Sequence, residues 1–372
     1  MNSEMITQAL HEVEESDKAL AAAFERRLDA IKVIAEYRRE HGIPVPAEPD
    51  GGERAQELSA VITDAEKRPY YMSFFQGALS ASEKYHRRIM QGVRVAYTGV
   101  KGAFANIAAS RIFPDGEMVS YPDFAASYTA VERGECDCAV LPIENSYAGE
   151  VGQVIELMFS GKLYIGGVYS LRVKHNLLGL RGATPSGVKK VVSHPQALHQ
   201  CAPYIQAHGY ECIQETNTAV AAQRVAEGGD PTVAAIASAE TAKLYGLEVL
   251  DHDINESGDN TTRFAVFSRT PNIDEDHRDR SRFLLMFILQ NVPGALASAI
   301  NVISSYGFNM KVIRSRPIKE PAWEYYFYVE AEGDEESENG RRMISELRQH
   351  CRVLKVVGHY SDDIRLGASS II

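Results

Sequence analysis

The sequence predicts a multidomain chain in which an all-α helical domain is followed by a layered α/β domain and then by a small α+β domain. Three observations predict it. Residues 5–91 are rich in Ala, Glu, Arg and Leu with few β-branched clusters; from Val93 short apolar runs alternate with helical segments; and a polar stretch at residues 271–280 precedes a run that reads β-α-β-β-α-β. A chain of 372 residues also exceeds what one ordinary core accommodates. The expected domains are residues 1–91, 92–271 and 281–362.

In the first domain, Gly42-Ile-Pro-Val-Pro46 and Pro49-Asp-Gly-Gly52 break the helical pattern once, which predicts two or three helices around one loop. Leu20, Phe24, Arg27, Ile31, Ile34 and Arg38 recur at 3–4 spacing, so two arginines share a stripe with apolar residues. Charges on a buried stripe are costly unless an anion pairs with them. Ser82 and His86 stand one turn apart on one helix face.

In the second domain the apolar runs at residues 93–97, 138–143, 163–173, 188–192, 233–237 and 263–268 predict strands, and their alternation with helices predicts a parallel sheet. The 139–143 run delivers Glu144, Asn145 and Ser146 to its carboxyl end, where open α/β sheets bind ligands and where helix N-caps also sit. Ser193, His194 and Gln200 follow the 188–192 run in the same way. In the third domain, strands at 283–289, 310–316, 325–329 and 352–357 and helices at 294–306 and 340–350 make the ferredoxin-like order.

With 39 basic against 50 acidic residues the net charge is −11, which argues against nucleic acid or an anionic membrane as partner. No run approaches the roughly 18 apolar residues of a membrane span, and residues 1–15 lack a signal-peptide pattern, so a cytoplasmic protein is expected. Five cysteines without paired spacing (Cys136, Cys138, Cys201, Cys212 and Cys351) predict reduced thiols, with no disulfide framework or zinc site.

Five segments resemble the prephenate dehydratase family: Gly99-Val-Lys-Gly-Ala-Phe-Ala105; Leu141-Pro-Ile-Glu-Asn-Ser146 with Gly149; Ser193-His-Pro-Gln-Ala-Leu198 with Gln200; Leu244-Tyr-Gly-Leu247; and Asn260-Thr-Thr-Arg-Phe264. They occur in the family's order across residues 93–270. The resemblance implies a two-lobed fold like that of periplasmic binding proteins, and conversion of prephenate to phenylpyruvate with loss of water and carbon dioxide. It requires no metal or organic cofactor.

By the same resemblance Thr262 is the residue closest to the reaction; because a threonine hydroxyl is a poor acid, Thr262 is expected to donate a hydrogen bond to the departing oxygen and Glu144, raised by burial, to be the proton source. Asn145, Ser193 and Gln200 then position the substrate, with Gly102, Ala103, Ser146, Arg263 and Phe264 around it. Ala103 opens a helix whose amides suit a carboxylate. Arg263 fits two readings, carboxylate binding or bracing its strand.

Pro293-Gly-Ala-Leu296, Ile313-Arg-Ser-Arg-Pro317 and Trp323-Glu-Tyr resemble the ACT domain fused to these enzymes. That implies L-phenylalanine as effector at Gly294, Ala295, Leu296, Ser315, Arg316 and Pro317, with a second subunit facing the site. Arg314 stands where the family usually has Glu. Residues 5–91 resemble the helical chorismate mutase of the same family, which implies chorismate as a further substrate and a homodimer or higher homo-oligomer. Arg27, Arg38, Asp50, Ser82 and His86 carry that resemblance, Asp50 within Asp50-Gly-Gly-Glu53-Arg54. Three other readings stay open: a helical domain that only dimerises, arogenate as substrate, and a non-catalytic amino-acid sensor.

Overall fold

The computed structural model describes residues 3–41, 58–256, 258–271, 281–318, 325–361 and 364–367. The expected interhelix loop at residues 42–52, with Asp50, Glu53 and Arg54, lies outside them, as do residues 272–280 of the expected linker and Trp323. The chain divides into two compact units, Met1–Val93 and Arg94–Ile372.

The first unit contains α1 (Ser3–Glu40) and α2 (Arg68–Gln91). On α1 the face turned toward α2 carries Phe24, Arg27, Ile31, Ala35 and Arg38; Ala35 is fully buried, and the others are half-buried. Ile34 and Leu20, expected on that stripe, are 48% and 49% exposed. The 3.6-residue period carries the seam through Ala35 in place of its neighbour. Along the first half of α1, Met5, Ile6, Leu10 and Val13 are all exposed.

The second unit begins with β1 (Arg94–Thr98), α3 (Phe104–Ile112), β2 (Glu117–Tyr121), α4 (Phe124–Glu132), β3 (Cys138–Asn145), β4 (Gly149–Glu150), α5 (Gly152–Ser160) and β5 (Tyr164–Arg172). The chain then crosses to a second lobe. There it forms β6 (Asn176–Gly179), β7 (Lys190–Ser193), α6 (Pro195–Gln200), α7 (Ala202–His208), β8 (Glu211–Gln214), α8 (Thr218–Gly228), β9 (Val233–Ala237), α9 (Ala239–Tyr245) and β10 (Glu248–Asp251). It returns as β11 (Thr261–Ser268), which inserts between β3 and β5 of the first lobe.

Both sheets are mixed, which corrects the expectation of parallel strands. β1 runs parallel to β2 and β3, but β11 is antiparallel to both β3 and β5, and β6 is antiparallel to β9 and β10. A strand that re-enters a lobe after an excursion has no crossover helix to set its direction, and apolar runs alone do not encode one. Because β11 is antiparallel to β3, its first residues lie at the edge where β3 ends, and Thr262 pairs with Asn145.

The last part of the unit is β12 (Ser281–Leu289), α10 (Ala295–Ser305), β13 (Asn309–Pro317), β14 (Tyr325–Glu332), α11 (Glu338–His350) and β15 (Cys351–Ser361), in a sheet ordered β13-β14-β12-β15. All its pairings are antiparallel. β12 is almost continuously apolar because both its faces are covered. Phe283, Leu285 and Phe287 pack under α10 and α11, whereas Leu284, Met286 and Ile288 join the core of the first lobe. Gly358 permits the close approach on that side, since a Cβ there would lie 2.4 Å from the carbonyl oxygen of Ile165 on β5. The chain then adds β16 (Ile364–Leu366), parallel to β5, at the edge of the first lobe's sheet. No helix among the described residues is long and apolar enough to cross a membrane.

Candidate active site

Between the two lobes lies a cleft of about 770 Å³, lined from the first lobe by Thr98, Ala103, Phe104, Asn145, Thr262 and Phe264 and from the second by His194, Gln200, Asn217 and Thr218. His175 and Asn260, on the two segments that cross between lobes, complete its wall. No Lys or Arg among the described residues lines it. The N-terminal ends of α3 and α8, at Ala103 and Asn217, open onto it and bring the positive ends of two helix dipoles to its wall.

Asn145, the last residue of β3, is held by two backbone amides: its Oδ1 accepts from Tyr147 N at 3.0 Å and from Ala148 N at 2.9 Å. Its Nδ2 therefore faces the cleft, donating to Thr262 Oγ1 at 2.9 Å and to Asn260 Oδ1 at 2.8 Å. Since Thr262 Oγ1 accepts from Asn145, the hydrogen of its own hydroxyl remains for another acceptor. Asn260 Nδ2 donates to Gln200 Oε1 at 2.9 Å, and His175 Nε2 meets the same oxygen at 2.9 Å. Asn145, Asn260, Gln200, His175 and Thr262 are each at most 9% exposed.

Asn145, Gln200, Thr262, Ala103 and Phe264 are thus brought together as expected from the sequence, while other expected site residues stand elsewhere. Glu144 is corrected most sharply. As the neighbour of Asn145 in a strand it points to the opposite face of the sheet, away from the cleft. There it pairs with Arg263 at 3.1 Å and Arg314 at 2.5 Å, far from the role of acid in the cleft. Arg263 takes the bracing role: it grips Glu330 through Nη1 at 3.1 Å and Nη2 at 3.0 Å. Burial works to raise the Glu330 carboxyl, but the Arg263 guanidinium and the hydroxyls of Tyr328 and Tyr360 together outweigh it and hold it below the usual carboxylate range.

Ser193 is fully buried and donates to the Ile236 carbonyl on β9 at 2.6 Å, so it ties two strands together and is not among the cleft-lining residues. Gly102 has both backbone groups occupied, its N–H by Asn106 Oδ1 and its carbonyl by Thr241 Oγ1. Ser146 stitches the end of β3 to the start of β11 through Asp259 O and Thr261 N. His194, next to Ser193, does line the cleft. His175 and Asn260 were missed as site residues because they sit on crossings between lobes, where no strand pattern announces them. Asn260 does stand at the head of the segment that supplies Thr262.

In the C-terminal sheet Arg314 and Arg316 share one face of β13 and both reach Glu150, at 2.7 and 2.8 Å. Arg316, expected at an effector site, therefore points at the first lobe. Ser315 and Pro317 project to the other side and are exposed, as Gly294 is, with Ala295 and Leu296 half-buried. In the helical unit, Arg27 Nε donates to Ser82 Oγ at 3.0 Å and Arg38 Nη1 lies 3.5 Å from His86 Nε2. Ser82 and His86 are buried, and burial followed by the charge of Arg38 lowers the pKa of His86.

The two-lobed cleft is thus lined by a connected network of neutral hydrogen-bonding side chains. A family model described as prephenate dehydratase matches residues 95–272. The chain is 34% identical to arogenate dehydratase/prephenate dehydratase 2 of Arabidopsis thaliana over 84% of this chain and 83% of the relative. It is 29% identical to the bifunctional chorismate mutase/prephenate dehydratase of Aquifex aeolicus over 96% and 98% of the two chains. A solved prephenate dehydratase of Arthrobacter aurescens, in complex with L-Phe, superposes with a TM-score of 0.67 at 25% identity, covering 72% of this chain and 90% of that one. The chain belongs to the prephenate dehydratase family.

Proposed function

We propose that the cleft converts prephenate to phenylpyruvate, with Thr262 as the residue that meets the departing oxygen. The observation that carries this is the orientation of Asn145, which leaves the Thr262 hydroxyl hydrogen free to donate. As the C–O bond lengthens, Thr262 donates to the leaving oxygen. The carboxyl carbon departs as carbon dioxide and its bonding pair enters the ring, which becomes aromatic. One proton is taken up, so water leaves. Neutral binding of the carboxylates by the ends of α3 and α8 suits this chemistry, because a guanidinium paired with the ring carboxylate would stabilise the charge that the reaction must remove.

The helical unit acts as a chorismate mutase, supported by the convergence of Arg27, Arg38, Ser82 and His86 and by the bifunctional name of the Aquifex relative. An anion between those side chains meets the charge and donors that stabilise a developing ether oxygenate. The exposed apolar side chains of α1 support assembly as a homodimer. L-phenylalanine acts as effector at Gly294, Ala295, Leu296, Ser315 and Pro317, in line with the ligand named for the Arthrobacter structure. The plant relative's name carries both arogenate and prephenate dehydratase and supports arogenate as an alternative substrate.

The test is a coupled assay on wild-type protein given chorismate or prephenate as separate substrates, with and without phenylalanine, and following phenylpyruvate; arogenate is assayed in parallel, following phenylalanine as its product. Product from both chorismate and prephenate establishes two activities. Product from prephenate alone leaves the helical unit as a dimerisation element, and product from neither overturns the dehydratase reading.

A further inference from the structure

The hydrogen bonds around Asn145 have a direction, and following it leads to a group with no partner. Backbone N–H groups of Tyr147 and Ala148 only donate, so Asn145 Oδ1 is their acceptor and its Nδ2 is the donor to Asn260 Oδ1. Asn260 is left with Nδ2, which donates to Gln200 Oε1. That oxygen only accepts, so the imidazole nitrogen that meets it, His175 Nε2, carries the ring's hydrogen. A neutral imidazole has one N–H, which makes His175 Nδ1 a lone-pair acceptor.

Nδ1 is buried and has no hydrogen-bond partner among the described residues. His175 is 3% exposed and lines the cleft. Burial lowers its pKa to about 4, against a smaller opposing effect of Gln200, so the ring stays neutral near pH 7. Phe104, another cleft-lining side chain, stands edge-on to the imidazole at 80° with centroids 5.7 Å apart. An orphaned acceptor in a ligand cleft costs free energy until something donates to it.

We propose that His175 is a substrate-binding residue, with Nδ1 as a fixed acceptor for a hydrogen-bond donor of the substrate. This rests on the dehydratase reading above. Carboxylates and a keto group are poor matches, since they carry no donor. Two donors qualify: the ring hydroxyl shared by prephenate and arogenate, and the ammonium group that arogenate alone carries. The site then has polarity, with a donor at Thr262 and an acceptor at His175.

The test measures kcat and KM for both substrates in the wild type, His175→Gln and His175→Asn. A glutamine amide reaches the place of Nε2 and keeps the bond to Gln200 while losing the acceptor at Nδ1; an asparagine amide does the reverse. The expected result is a fall in kcat/KM of about tenfold in His175→Gln with its melting temperature preserved, and a smaller fall in His175→Asn. An equal loss on both substrates identifies the ring hydroxyl as the donor, and a loss confined to arogenate identifies the ammonium. Wild-type kcat/KM in His175→Gln on both substrates overturns the proposal, as does damage in His175→Asn alone, because His175 is then only a brace for Gln200. Failure of the family reading is separable, since it shows as a wild type inactive on both substrates.

Discussion

At the scale of single residues, the hydroxyl of Thr262 is oriented by a side chain that is itself pinned by two backbone amides. Thr262→Ala removes the donor but only one buried hydrogen bond, so turnover of prephenate falls by at least about a hundredfold while the fold is retained. Steady-state kinetics together with circular dichroism check this, and Thr262→Ser recovers part of the loss. His175 supplies a pH signature. Its folded form resists protonation down to about pH 4, whereas the unfolded chain takes up the proton near 6.5. Between those values the unfolded state binds more protons, so stability falls as pH falls, by about 3 kcal/mol once the window is crossed. Urea denaturation at pH 7 and pH 4.5 shows a smaller difference in His175→Gln than in the wild type.

At the scale of elements, the β3–β11 pair explains what sequence reading captured and what it did not. Asn145 and Thr262 were legible because both stand at a sheet edge where ligands bind. Glu144 and Asn145 were assigned together, although adjacent strand residues point to opposite faces and only one of them can enter the cleft. Ser193 failed for a related reason: a hydroxyl at the end of a strand can serve the neighbouring strand as readily as a substrate. His175 and Asn260 acquire their meaning only when two lobes are joined, a relation carried by tertiary contacts and not by local periodicity. A consequence can be measured. Glu144→Gln keeps the cleft intact, so kcat drops by less than about tenfold; a fall beyond a hundredfold would restore Glu144 as the acid.

At the scale of the whole second unit, the back of the catalytic strand pair is tied to the C-terminal sheet. Glu144 and Glu150 take Arg314 and Arg316 from β13, and Arg263 takes Glu330 from β14. Anything that shifts β13 therefore pulls on the residues next to Asn145 and Thr262. Arg314→Gln loosens that tie without touching the cleft, so basal turnover stays within about threefold; on the proposed reading that L-phenylalanine is the effector, its effect weakens, and rate measured against phenylalanine concentration on the two proteins checks this.

The place of β16 has a consequence for how the protein is made. β5 borders β11 on one side and β16 on the other, so until Ile364–Leu366 arrive one edge of the catalytic sheet is bare. Those residues follow β5 by about 190 positions, which at ribosomal rates of about 5–20 residues per second leaves that edge open for roughly 10–40 s. An unpaired strand edge is a template for pairing with other chains. During that interval β5 itself presents the open edge of this lobe, and β16, the last strand among the described residues, takes over that edge with only three residues.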